Sequence, residues 1–313
     1  MKLHIVPAQT GFTWVKLGVQ AFRRQPLALA ALFFLSFVAM SLLASVPVLG
    51  NIASLVLLPS VTLAMMVATG ESIQGHTPTP ALLLITFRKG RQHLRHMLLL
   101  GALYAAGFLG IMAISALVDG GRFAQVYMDG TPVTAQMASD PSFQKAMWTA
   151  TVLSLPLSLL FWHAPGLVHW HGVPPVKALF FSLMACVRNV GACLVFLFSW
   201  LGIGVLGALV ISIISLLLGL GGEGVGSLLM GAAMMMATMI LSCAVFIFRD
   251  CFEPPESLLH GAHHETTPPP PTAGPNRGRA ARAPASQPAA SRRRMGHCGR
   301  VGDGAGPVPQ QHR

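Results

Sequence analysis

Three histidines, His163, His169 and His171, lie within nine positions and are interleaved with Trp162 and Trp170. Neutral imidazole suits a transition metal, and His-x-His would supply two ligands if a third donor converged on them. No carboxylate lies nearby in sequence, and aromatic and histidine side chains also collect at membrane interfaces for amphipathic reasons. The histidines are therefore weak metal candidates, and neither a metal nor any other cofactor is expected. Met230, Met234, Met235, Met236 and Met239 could offer thioethers to a soft metal. Three consecutive residues point in three directions on a helix, however, so flexible apolar packing accounts for them. The five cysteines show no CxxC spacing and read as small apolar residues.

Gly202-Ile203-Gly204-Val205-Leu206-Gly207 matches the spacing of a dinucleotide-binding loop. That chemistry needs a preceding strand and a phosphate that can reach exposed amides at a helix start. Here the glycines sit inside an apolar run, where close packing of helices is the expected role. Small residues recur at helical spacing in two other runs, as Gly101/Ala105, Ala102/Ala106, Ala106/Gly110, Ser227/Gly231 and Ala233/Ala237. The expected packing set is Gly101, Ala105, Gly110, Gly202, Gly207 and Gly231, within the bundle or, as the alternative, on a homo-oligomer face. No Asp, Glu, Lys or Arg stands centrally in any long apolar run, and no paired-carboxylate, Ser/His/Asp or P-loop arrangement is visible. Ion-coupled transport leaves charged residues inside spans. Neither an enzyme nor a coupled transporter is expected.

The elements that carry these residues follow from composition. Of 313 residues, 53% are hydrophobic and only 10% charged, whereas a soluble domain carries about a quarter charged residues. Six apolar segments, near 27–46, 48–69, 97–118, 146–168, 190–219 and 225–248, reach the roughly 20 helical residues needed to cross a hydrocarbon core. The first reads as a retained span. The first two must form a tight hairpin about Pro47, and Pro59 and Pro156 fall inside spans. Thr151, Ser154 and Ser158 stand near enough to Pro156 to help satisfy the carbonyls it frees. The expected class is an all-α membrane protein, with residues 1–252 as a polytopic membrane domain.

The net charge of +11 is distributed as membrane proteins distribute it, so nucleic acid is not expected as a partner. Lys2, Lys16, Arg23 and Arg24 precede the first span, and Arg88, Lys89, Arg91 and Arg95 separate the second from the third. Lys177 and Arg188 separate the fourth from the fifth, and Arg249 follows the sixth. The opposite loops hold Arg122 and Lys145 beside Asp119, Asp129, Asp140 and Glu223. Positive loops stay inside, so both termini are expected in the cytoplasm.

Each odd-numbered span follows an apolar segment ending in basic residues. In the first, Phe12, Val15, Val19 and Phe22 share one helical face, with Lys16, Gln20, Arg23 and Arg24 opposite. The second opens at Thr79-Pro80 and the third at Pro174-Pro175, positions suited to a helix start. The spacing predicts three basic interfacial helices, each heading a hairpin of two spans. Lys16, Arg23, Arg24, Arg88, Lys89, Arg91, Arg95, Lys177 and Arg188 are the expected contacts to anionic lipid headgroups. Asp140-Pro141 reads as the N-cap and first position of the fourth span. Residues 253–313 turn to Pro, Ala, Gly and Arg, with eight arginines against Glu265 and Asp303 beyond residue 260, a composition expected to be disordered.

Pro7…Gly11-Phe12-Thr13-Trp14…Phe22-Arg23-Arg24-Gln25-Pro26, together with Pro174-Pro175-Val176-Lys177-Ala178-Leu179-Phe180-Phe181-Ser182 and Cys186-Val187-Arg188-Asn189, resembles an uncharacterised proteobacterial six-span integral membrane protein family. The layout over about residues 6–252 is also similar to the membrane domain joined to bacterial glycerophosphodiester phosphodiesterases. The resemblance implies a bacterial inner membrane and no particular activity. The expected function is a non-catalytic, membrane-organising or lipid-interacting protein; the alternative is an uncoupled permease or a transporter subunit.

Overall fold

A computed structural model describes residues 3–219 and 221–252, and the tail expected beyond residue 252 lies outside them. The described residues form helices and no strand. A lone β-bridge joins Leu3 to Phe252. Helix α1 (Thr10–Arg24) leads into α2 (Pro26–Ala44) and α3 (Leu49–Ile73). A 3-10 turn at Pro80–Leu84 and the single-turn α4 (Ile85–Arg88) precede α5 (Arg91–Asp119). Then come α6 (Arg122–Asp129), α7 (Ala135–Ser139), α8 (Pro141–Phe161), α9 (Ala164–His171), α10 (Pro175–Arg188), α11 (Val190–Leu217) and α12 (Gly222–Cys251). Six stretches are long and apolar enough to cross a membrane: α2, α3, α5, α8 with α9, α11 and α12.

Local chemistry sets the boundaries. Between α2 and α3 the turn at Ser45–Val48 is so tight that Val48 takes φ +59°, a region β-branched residues avoid. Gly50 completes it, since a Cβ there would strike the Leu43 carbonyl oxygen. The second basic segment is not one interfacial helix. Gly90 at φ +102° breaks the chain after α4, so Arg91 and Arg95 belong to the first turns of α5 and the third span starts six residues earlier than expected. The fourth span also differs from expectation. It runs Pro141–His171 but is broken at Trp162–His163, because the ring of Pro165 denies the helix the carbonyl four residues back, that of Phe161.

Pro156 stays inside α8. Thr151, Ser154 and Ser158 donate to the carbonyls of Met147, Ala150 and Ser154, four residues back in each case. None reaches the Val152 carbonyl that Pro156 leaves without its helical donor.

Sequential spans pack as α2 on α3, α5 on α8, and α11 on α12, with α3 also against α5 and α12. Helix α1 packs on α12, α11 and α3. The largest core joins Trp14, Leu63, Met97, Leu100, Leu167, Phe196 and Cys243–Phe248. A smaller one, around Ile111, Phe123, Phe143 and Ala146, sits where α5 meets α6 and α8.

Candidate functional site

The starts of the odd spans and the ends of the even spans are tied to one another. Arg24 Nη1 donates to the Ile73 carbonyl at 2.9 Å, joining the first span to the end of the second. Lys89 Nζ donates to the His169 carbonyl at 2.7 Å, joining the approach to the third to the end of the fourth. At the fifth and sixth, Asn189 is a buried clamp. Its Oδ1 accepts from Val6 N–H at 2.8 Å, and its Nδ2 donates to the carbonyls of His4 at 3.1 Å and Ala185 at 3.0 Å. His4 N–H donates to the Cys251 carbonyl, and Trp14 Nε1 donates to Asp250 Oδ2 at 2.9 Å. These links gather Lys16, Arg23, Arg24, Arg88, Lys89, Arg91, Arg95, Lys177 and Arg188 at one end of the bundle.

All nine cations are exposed. Apart from Arg24, none of them forms an ion pair among the described residues. Lys16 lies over the Phe12 ring at 4.6 Å. Partial burial of Lys89 lowers its pKa, because desolvation penalises the ammonium.

The two longer amphipathic helices differ. Helix α1 buries Gly11, Trp14, Val15, Gly18, Ala21 and Phe22, so most of its apolar face packs into the bundle, while Phe12 stays exposed. Glycine permits this: a Cβ at Gly11 would strike the Ala192 carbonyl oxygen, and one at Gly18 the Cys243 sulfur. Helix α10 instead leaves Val176 (67%), Phe180 (57%) and Val187 (53%) exposed. It is α10 that carries an unpartnered apolar surface beside cations.

The histidines do not assemble a ligand set. His163 is fully enclosed, with ring centroids 5.4 Å from Phe252 and 6.2 Å from Phe248. Neither of its nitrogens has a hydrogen-bond partner. His169 Nδ1 approaches His93 Nε2 at 3.4 Å, while the His171 ring lies against Phe248. No group of three metal-binding side chains occurs among the described residues.

Of the residues expected to pack, Gly101 meets the Val56 carbonyl so closely that a Cβ would collide with it, and Ala105 is buried. A Cβ at Gly110, Gly202, Gly207 or Gly231 would meet nothing within 4 Å. Packing inside one chain therefore does not account for those four glycines. On α11, Gly204 faces the Met236 sulfur, whereas Gly202 and Gly207 face open space. Sequence reasoning missed Gly11, Gly18 and the Trp14–Asp250 bond. The seven-residue spacing of the glycines on α1's apolar face was the available signal.

The opposite end uses charge differently. Asp119 accepts from the N–H groups of Gly121 and Phe123. Arg122 Nη1 donates to Asp140 Oδ2 at 2.7 Å and Nη2 to Ser142 Oγ. Asp140 caps α8 through Ser142 N–H at 2.8 Å. Hydrogen bonds from Ser142 and Arg122 hold the Asp140 carboxyl well below the usual carboxylate range. Asn51, at this end, donates to the Met128 carbonyl at 3.2 Å, so it shares no site with Asn189 or the histidines.

No protein-family profile and no solved structure matches the chain. A probable inner membrane protein of Burkholderia thailandensis is 35% identical over 256 residues, which cover 80% of this chain and 94% of the relative. The chain is therefore an integral membrane protein and belongs to the family of that probable inner membrane protein.

Proposed function

We propose that this protein is a non-catalytic organiser of the bacterial inner membrane, gripping anionic lipid through its basic end, with that end and both termini in the cytoplasm. One observation carries this reading: the nine expected headgroup cations are exposed and, Arg24 apart, without ion-pair partners among the described residues, whereas Arg249 at the same end is paired with Asp250. Each Lys or Arg near an anionic surface contributes about 1 kcal/mol, so several together give a stable association. The resemblance in layout to the membrane domain joined to glycerophosphodiester phosphodiesterases adds a phospholipid context, without carrying that activity over.

A permease finds less support. A cavity of about 200 Å³ does lie beside Pro59, bordered by Thr62, Tyr104, Ser158 and Trp162. The hydroxyl protons of Thr62 and Ser158 go to carbonyls of their own helices, and most of the remaining lining, Leu58, Pro59, Phe161, Pro165, Leu241 and Ala244, is apolar.

Reconstitution into vesicles of phosphatidylcholine with graded phosphatidylglycerol tests the proposal. Spin-labelled phosphatidylglycerol should be enriched around the protein over labelled phosphatidylcholine, and the enrichment should fall with salt. Equal partition of the two labels at low salt would refute the reading.

A further inference from the structure

One cation of the basic end borders a cavity. A space of about 400 Å³ opens between the N-terminal segment, the α9–α10 turn and the end of α12. Its walls include Leu3, His171, Gly172, Lys177, Phe181 and Phe252, and among the described residues none of the lining is acidic. The volume lies in the range of small-ligand sites, about 300–1,000 Å³. An ammonium group at the cavity wall, with no carboxylate beside it among the described residues, is suited to an anion. Phenyl walls beside it call for hydrocarbon.

A phosphate ester attached to hydrocarbon satisfies both demands. The position of the cavity says which source supplies it. Lys177 stands on the first turn of α10, the helix whose Val176 and Phe180 are left uncovered by protein. Those side chains need hydrocarbon against them, while Lys177 stays at headgroup depth. Phe181, itself partly exposed on α10, belongs to the cavity wall as well. The site thus faces the boundary between acyl chains and headgroups rather than open water.

We propose that this cavity is a binding site for the phosphate of a single anionic glycerolipid. Lys177 Nζ supplies the charge, while Phe181 and Phe252 pack against the glycerol and upper acyl chain. The proposal rests on the lipid-gripping reading above and narrows it from a diffuse surface to one saturable position.

The test uses the full chain in phosphatidylcholine nanodiscs, titrated with tail-labelled phosphatidylglycerol. Wild type should show one saturable site above a salt-sensitive background. Lys177→Ala should weaken that site by roughly tenfold or more, the fold-change for losing one charge-assisted hydrogen bond, with the thermal midpoint unchanged. Arg23→Ala, on the outer face of α1, should lower the background and leave the site intact. If Lys177→Ala and Arg23→Ala act alike and no saturable step exists, the cavity proposal falls and the basic-end reading stands. Absence of any anionic preference overturns both. Competition by soluble glycerol 3-phosphate at comparable concentration would overturn the lipid assignment in favour of a water-borne phosphate ester.

Discussion

The two ends of this bundle spend the same kinds of residue in opposite ways. At one end Arg122 is matched to Asp140, Asp119 accepts from two backbone amides, and a cap closes α8. At the other, buried neutral groups hold the helices together: the Asn189 amide, the Trp14 indole facing Asp250, and backbone pairs near Cys251. Arg24 and Lys89 add bonds to backbone carbonyls and Arg249 pairs with Asp250, but the other cations there have no ion-pair partner among the described residues and remain available to something outside. A charge consumed internally contributes to folding, whereas a charge left outward can recognise. That contrast, more than the count of basic residues, is why the functional reading settles on one end.

The largest effect that would break this contrast is on α1, whose docking builds the basic end. Gly11→Ala sets a methyl group against the Ala192 backbone, which cannot rotate away. We expect a loss of about 1–3 kcal/mol, as for other overpacked contacts, read as a lower unfolding midpoint in detergent micelles. The control is Gly110→Ala, where a Cβ meets nothing within 4 Å. Removing a helical glycine there should stabilise by about 0.5–1 kcal/mol. If both variants unfold alike, α1 is not seated as described.

This difference between glycines also shows what could be read from sequence. The six spans were legible because hydropathy and length are local properties, and the Asp140-Pro141 start of α8 because capping is settled within three residues. The charge bias was legible as an orientation signal. Whether Lys177 or Arg23 finds a carboxylate depends on which helices meet, so their lack of ion-pair partners among the described residues was not. For the same reason α1 read as a membrane-surface helix: an apolar face looks alike whether it meets lipid or protein, and only the close approach at Gly11 and Gly18 separates the cases. The break before α9 was not legible from proline alone, since Pro165 starts a new helix while Pro59 and Pro156 sit inside theirs. The candidate site was thus visible as a list of cations, but neither the Asn189 clamp that frees them nor the cavity beside Lys177 has a local signature.

Asn189→Leu should sharpen the comparison next. It deprives Val6 N–H and the His4 carbonyl of their partner inside the protein, at a cost of about 1–3 kcal/mol. Because the N-terminal segment is held by this residue, limited proteolysis should cut before Thr10 faster than in wild type. Asn51→Leu, which removes one 3.2 Å bond at the other end, should cost only about 0.5–1.5 kcal/mol and leave the N-terminal cleavage rate unchanged. A reversed order would mean that the buried amide is not what holds the basic end.

The smallest effect belongs to the charge-matched end, and its signature is pH dependence rather than size. Asp140 is a cap and ion-pair partner whose carboxyl titrates below its ordinary value of 3.8 in the folded protein. A depressed folded-state pKa means that the unfolded chain takes up the proton first as pH falls. The stabilisation from Asp140 is therefore complete above the unfolded value and disappears as pH drops through the folded one. Asp140→Asn should lower the thermal midpoint slightly, by an amount that stays constant from about pH 7 to about pH 5 and shrinks only under more acidic conditions. A gap that closed already between those two pH values would show that the carboxylate is not held by Ser142 and Arg122, and that this end leaves its charge as unmatched as the other.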